Sequence, residues 1–70
     1  MFICYIHMFS SVVALADTEE EAITLAAHKA LQFLVNQEAT TAYTDTVEKI
    51  IDFFGVTAVH IVPGSAIHID

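Results

Sequence analysis

The stretch SVVALADTEEEAITLAAHKALQFLVN, residues 11–36, decides the architecture, because strand chemistry gives way to helix chemistry within it. Val12 to Ala16 is apolar, in part β-branched, and free of glycine and proline, which favours an extended chain. Asp17 or Thr18 then offers a side-chain oxygen to the free amides of a first helical turn. Glu19, Glu20 and Glu21 follow at the positive end of that turn, where carboxylates are favoured. Ile23, Ala26, Ala27, Ala30, Leu31 and Leu34 recur at helical spacing and predict a buried stripe. Its alanines permit close approach to a sheet or to a second helix. Leu25 and Phe33 lie off the stripe and predict a second covered surface. Asn36 reads as the terminator, and Gln37 to Tyr43 as a loop.

Toward the N-terminus, Phe2, Cys4, Ile6 and Met8 share one face of a strand; Ile3, Tyr5, His7 and Phe9 share the other. Both faces are apolar, as in a central strand or one at an interface. Ser10-Ser11 marks a turn, so residues 2–8 and 11–16 read as two strands. One long bent strand with a bulge there is the alternative. Ala14-Leu15-Ala16 before Asp17 fits the small-x-small pattern of a cleavable leader. Against that, no Lys or Arg precedes the apolar stretch and His7 interrupts it, so the expectation is that residues 1–16 belong to the fold.

Toward the C-terminus, Asp45 with Glu48 makes a capping-box-like start to a second helix. Val47, Ile50, Ile51 and Phe54 form its apolar stripe, and Asp45–Lys49 is a favourable i,i+4 pair. Gly55 is placed to end it in a left-handed conformation. Val56 to Val62 and Ala66 to Ile69 read as strands around the Pro63-Gly64 turn. If Val59, Ile61, Ile67 and Ile69 face the core, His60 stands opposite His68 on the outer face. The expected fold class is therefore α+β: an antiparallel sheet with two helices packed on one face, in the order ββ-α-α-ββ.

Composition bounds what such a fold can do. Seventy residues make one small domain spanning 1–70, and 56% of them are apolar against a usual share of about 45–50%. A body of this mass has a folded surface of about 4,300 Å² and little interior. Some apolar side chains are thus expected to face a partner, a second copy first among them, with a homodimer or higher homo-oligomer as the outcome. Two lysines, no arginine and a net charge of −7 exclude direct nucleic-acid binding. No apolar run reaches the roughly 18–20 residues of a membrane span. Cys4 is the lone cysteine, so no internal disulfide forms and a reducing cytoplasm fits best.

The conspicuous polar feature is the cluster Asp17, Glu19, Glu20, Glu21. It reads first as a favourable helix start, and more sharply as a partner-binding patch that steers the chain toward a basic protein surface. Among His7, His28, His60 and His68, the pair His60 and His68 with Asp70 could converge on the last hairpin as ligand contacts. No H-x-H or H-x₃-H spacing supports a metal site, and no cofactor is expected. A protonated His60–His68 pair would repel, which predicts acid sensitivity near pH 6. Cys4 has no basic neighbour in sequence, and Ser10 and Ser11 have neither elbow glycines nor an identifiable base. Gly55 and Gly64 are too few for a phosphate loop, and Phe53-Phe54 reads as core plus interface.

Ser11–Leu31, with its strand, its D-T-E-E-E-A start and its alanine-rich helix, resembles the strand-to-helix junction of small ββα modules. HicB-type antitoxins and several phage-encoded small domains share that outline. It rests on helix-start physics over about twenty residues and carries no functional residue across. The expectation is a small acidic, non-catalytic interaction module that self-associates and binds or inhibits a protein with a basic surface. The rival is a ligand- or metal-binding oligomer whose sites form between subunits, with the histidines and Tyr5 or Tyr43 as polar contacts.

Overall fold

In the computed structural model, which describes residues 1–68, the apolar N-terminal segment forms β1 (Phe2–Ile6) and β2 (Val12–Ala16). They pair antiparallel, with Phe2 opposite Ala16 and Ile6 opposite Val12, so Ser10-Ser11 does mark the turn. Helices α1 (Glu19–Asn36) and α2 (Val47–Phe54) follow, and then β3 (Thr57–His60). β3 pairs antiparallel with the other side of β1, giving the strand order β2-β1-β3. The doubly apolar β1 is thus the central strand. The α+β class with an antiparallel sheet and two helices holds.

Thr18 is the residue that caps α1: its hydroxyl accepts from the Glu21 N–H at 3.2 Å. The helix lies across β1 and β2 on Ala22, Ala26, Ala27 and Ala30, all fully buried, with Leu34 at the far end. Ala22 extends the predicted stripe by a turn, while Ile23 and Leu31 sit at its half-buried margins. Phe33 also packs against the core, so the second surface of α1 belongs to Leu25 and Val35 instead. The helix closes as a Schellman motif, with the Ala39 N–H on the Leu34 carbonyl at 2.8 Å and the Glu38 N–H on that of Val35 at 3.0 Å. Glu38 takes the left-handed position, φ 53°, two residues beyond Asn36.

α2 starts one residue later than the capping-box reading places it. Thr46 accepts from the Lys49 N–H at 3.2 Å, which leaves Asp45 to bind the Lys49 ammonium at 2.9 Å. That hydrogen bond holds the Asp45 carboxyl below its ordinary value. Ile50 is the one fully buried residue of α2 and joins it to α1 in the shared core. Gly55 ends the helix with φ 75° and ψ 168°, a positive-φ region that is extended rather than helical. An added Cβ there would meet nothing within 4 Å, so Gly55→Ala isolates the backbone effect. We expect it to destabilise the chain by about 1–3 kcal/mol in urea denaturation; an unchanged midpoint would contradict this geometry.

The C-terminal hairpin is where the sequence reading fails. Pro63-Gly64 does form a turn: Gly64 has φ 83° and the Ser65 N–H reaches the Val62 carbonyl at 3.2 Å. Residues 66–68 nevertheless join no strand, and Ile69 lies outside the described residues. β3 also has the opposite parity to the one expected. Ala58 stands opposite the buried Cys4, so Val59, opposite Ile3, lies on the outer face of the sheet. His60 falls opposite Phe2 on the helix side. One residue of register moves every side chain of a strand to the other face.

Candidate interaction surfaces

Carboxylates gather where the chain leaves β2 for α1. Asp17, Glu19, Glu20 and Glu21 are all exposed, and the Thr18 cap fixes the direction in which the first turn projects them. Among the described residues the ion pair recorded is Asp45–Lys49, so none of these four is neutralised by a lysine. Four negative charges within five residues of a rigid helix start make a local field of one sign.

Beside this lies a surface without charge. Ile3, Tyr5, Val13, Leu15, Thr57 and Val59 share the face of the sheet turned away from the helices. Val13 and Leu15 are 50% and 55% exposed, and Ile3, Tyr5 and Val59 are half-buried. The exposed surface of the chain is 4727 Å², above the value a compact body of this mass would have. Leu25 and Val35 on α1 and Phe9 and Phe53 elsewhere are also exposed.

The histidines do not converge. His60 stacks on Phe2 with ring centroids 4.8 Å apart, and His68 stands exposed in an irregular segment. The expected His60–His68 cross-strand pair is not formed, because β3 pairs with β1 and residues 66–68 pair with nothing in the sheet. The acid sensitivity argued from that pair loses its mechanism. Asp70, the third member of that cluster, lies outside the described residues. Among those described, no three His, Cys, Asp or Glu side chains are grouped to hold a metal ion.

One polar cluster escapes the sequence reading. The Tyr5 hydroxyl lies 2.7 Å from His7 Nδ1 and 3.0 Å from Ser11 Oγ, at the turn end of the outer face. The Tyr5 phenol is the group that both the serine and the imidazole reach. The face shared by Tyr5 and His7 and the turn at Ser10-Ser11 were both visible in the sequence; the path of that turn, which brings Ser11 to Tyr5, was not.

Cys4 is fully buried, and burial pushes its thiol above the ordinary value. A hydrogen bond from the Tyr5 backbone opposes the shift and the charge of Glu19 adds to it. Native Cys4 should therefore resist a disulfide reagent at about pH 8, with labelling that tracks unfolding in urea. Immediate labelling of the folded chain would refute the burial. Phe53 and Phe54 meet edge to face, with centroids 5.0 Å apart. With Phe9, Leu34, Ala39, Thr41 and Thr44 they line an apolar cavity of about 360 Å³. Phe54 packs against the core and Phe53 is exposed. Tyr43 is 72% exposed beside Phe53 and far from the His7 cluster in sequence. No helix of the described residues is long and apolar enough to cross a membrane.

Set against known protein families, curated proteins and solved structures, the chain matches none of them.

Proposed function

We propose that this chain is a small acidic, non-catalytic interaction module of the reducing cytoplasm. It self-associates through apolar surface and uses Asp17, Glu19, Glu20 and Glu21 to bind or inhibit a protein with a basic surface, as antitoxins and phage anti-defence proteins do. The observation that carries this is the separation of chemistries: un-neutralised carboxylates on a capped helix start, beside a sheet face with no charge at all. Opposite charge steers encounter and sets partner choice, while apolar burial supplies affinity.

The test uses source-cell extract and two baits, the intact chain and the triple variant Glu19→Gln, Glu20→Gln, Glu21→Gln. A basic protein retained by the first at low salt, and lost with the second or at high salt, is the expected result. Equal retention of the same protein by both baits would remove the acidic patch from binding.

A second reading, a ligand-binding oligomer with sites between subunits, has the Tyr5–His7–Ser11 cluster behind it. It sits on the uncovered face, where a second subunit would seal it. Calorimetric titration with zinc that gives no heat removes the metal form of that reading.

A further inference from the structure

Among the described residues β2 and β3 are both edge strands, and the β2 edge has its outward backbone groups set by register. Ile61 donates its N–H to the Met1 carbonyl at 2.8 Å, and the β1–β3 register extended by one residue makes these two partners. Backbone groups alternate in direction along an antiparallel strand. Met1, Ile3 and Tyr5 therefore turn theirs toward β3, and Phe2, Cys4 and Ile6 turn theirs toward β2. Through the β1–β2 register, Val12, Ala14 and Ala16 bond to β1. Val13 and Leu15 consequently point both N–H and C=O away from the sheet, at the open edge of β2.

Natural edges are blunted by charge, proline or a bulge. β2 has none of these: its residues are Val-Val-Ala-Leu-Ala and its register with β1 is unbroken. We infer that this edge is the seam of a homodimer. Two β2 strands pair antiparallel about a twofold axis at Ala14, so that Val13 exchanges backbone hydrogen bonds with Leu15 of the second copy, and the reverse. The two sheets become one, with Val13 and Leu15 adding their exposed side chains to a continuous apolar face. This inference rests on the proposed self-association and names its surface.

The outward backbone groups of Val13 and Leu15 are self-complementary about Ala14, which favours a second copy, and charge sets the direction. Each copy carries −7, so a second copy must dock where carboxylates are absent, and β2 with the outer face is such a place. Antiparallel pairing at Ala14 sets the two Asp17 residues about 20 Å apart along the seam, at roughly 3.4 Å per residue. That is more than twice the Debye length of about 8 Å in physiological salt. Parallel pairing would press the two acidic helix starts together. A twofold seam also closes on itself, as a dimer requires.

The variant Val13→Pro removes an outward N–H that β1 does not use, so the intrachain ladder survives it. By light scattering, the unaltered chain should have twice the mass of one chain, and V13P the mass of one chain with its circular dichroism retained. Val35→Lys, on the outward side of α1, should leave the doubled mass unchanged. Leu15→Lys carries the same test should V13P fail to fold, since it sets a charge against Val13 of the second copy. A dimeric parent whose folded V13P and L15K variants stay dimeric overturns the β2 seam and leaves self-association standing. A parent that is monomeric at every concentration overturns both, and one that pairs only with an added extended peptide assigns the edge to a foreign strand instead.

Discussion

Ile50→Ala should remove a large share of the stability of the chain. The side chain is fully exposed to the core and not at all to water, and no other residue of α2 is buried to that degree. Truncating a buried isoleucine to alanine costs about 2–5 kcal/mol, the lost transfer energy plus the cavity left behind. A chain of this length is expected to hold about 4–10 kcal/mol in total, at roughly 0.05–0.15 kcal/mol per residue. The substitution therefore removes a large share of the stability, and the short α2 cannot re-form contacts elsewhere. Urea denaturation followed by circular dichroism measures the loss. Phe53→Ala, three residues on and 61% exposed, removes a larger side chain and should cost only about 1 kcal/mol, through its edge-to-face contact with Phe54. Similar losses for the two variants would mean that Ile50 does not hold α2 in place.

Ala26→Leu should damage the fold from the opposite direction, by adding volume. Four fully buried alanines let α1 approach β1 and β2 closely, and Ala26 lies among them. Leucine and alanine differ little in helix propensity, so the loss isolates packing. Overpacking costs typically about 1–3 kcal/mol, and the upper end is expected here because the strands beneath are held by two ladders. The helix must rise from the sheet or tilt, which also loosens Leu34 and Ile50. Gln32→Ala, exposed on the same helix, should stay within about 0.5 kcal/mol of the parent. A more stable Ala26→Leu variant would reveal an unfilled space under α1.

The candidate surfaces were legible to different depths. The acidic cluster follows from adjacency alone: Asp17 to Glu21 begin a helix, and a helix start projects them together wherever the rest of the chain goes. The His60–His68 pair needed a strand that does not form, and the Tyr5–His7–Ser11 cluster needed a turn whose path no periodicity describes. The buried or exposed state of Val59 depended on parity, and parity is set by the partner strand.

By itself the sequence determined what local physics controls. Apolar, partly β-branched runs free of glycine and proline made β1 and β2, helical spacing and a capping hydroxyl made α1, and the Val47–Phe54 pattern with Gly55 made α2. It also fixed the charge of −7 and the lack of carboxylates in both N-terminal strands. Tertiary structure alone decided which residue of Asp45 and Thr46 would cap α2, since cap and ion pair compete for neighbouring positions. It decided too that β3 would take the free side of β1 rather than fold back on residues 66–68. The reason is that strand pairing is a non-local contest. A hairpin with an exposed return strand buries little, whereas joining the central strand places Ala58 beside Cys4 on the core face and brings β3 under α1. That choice left β2 as an open edge, with Val13 and Leu15 turned outward.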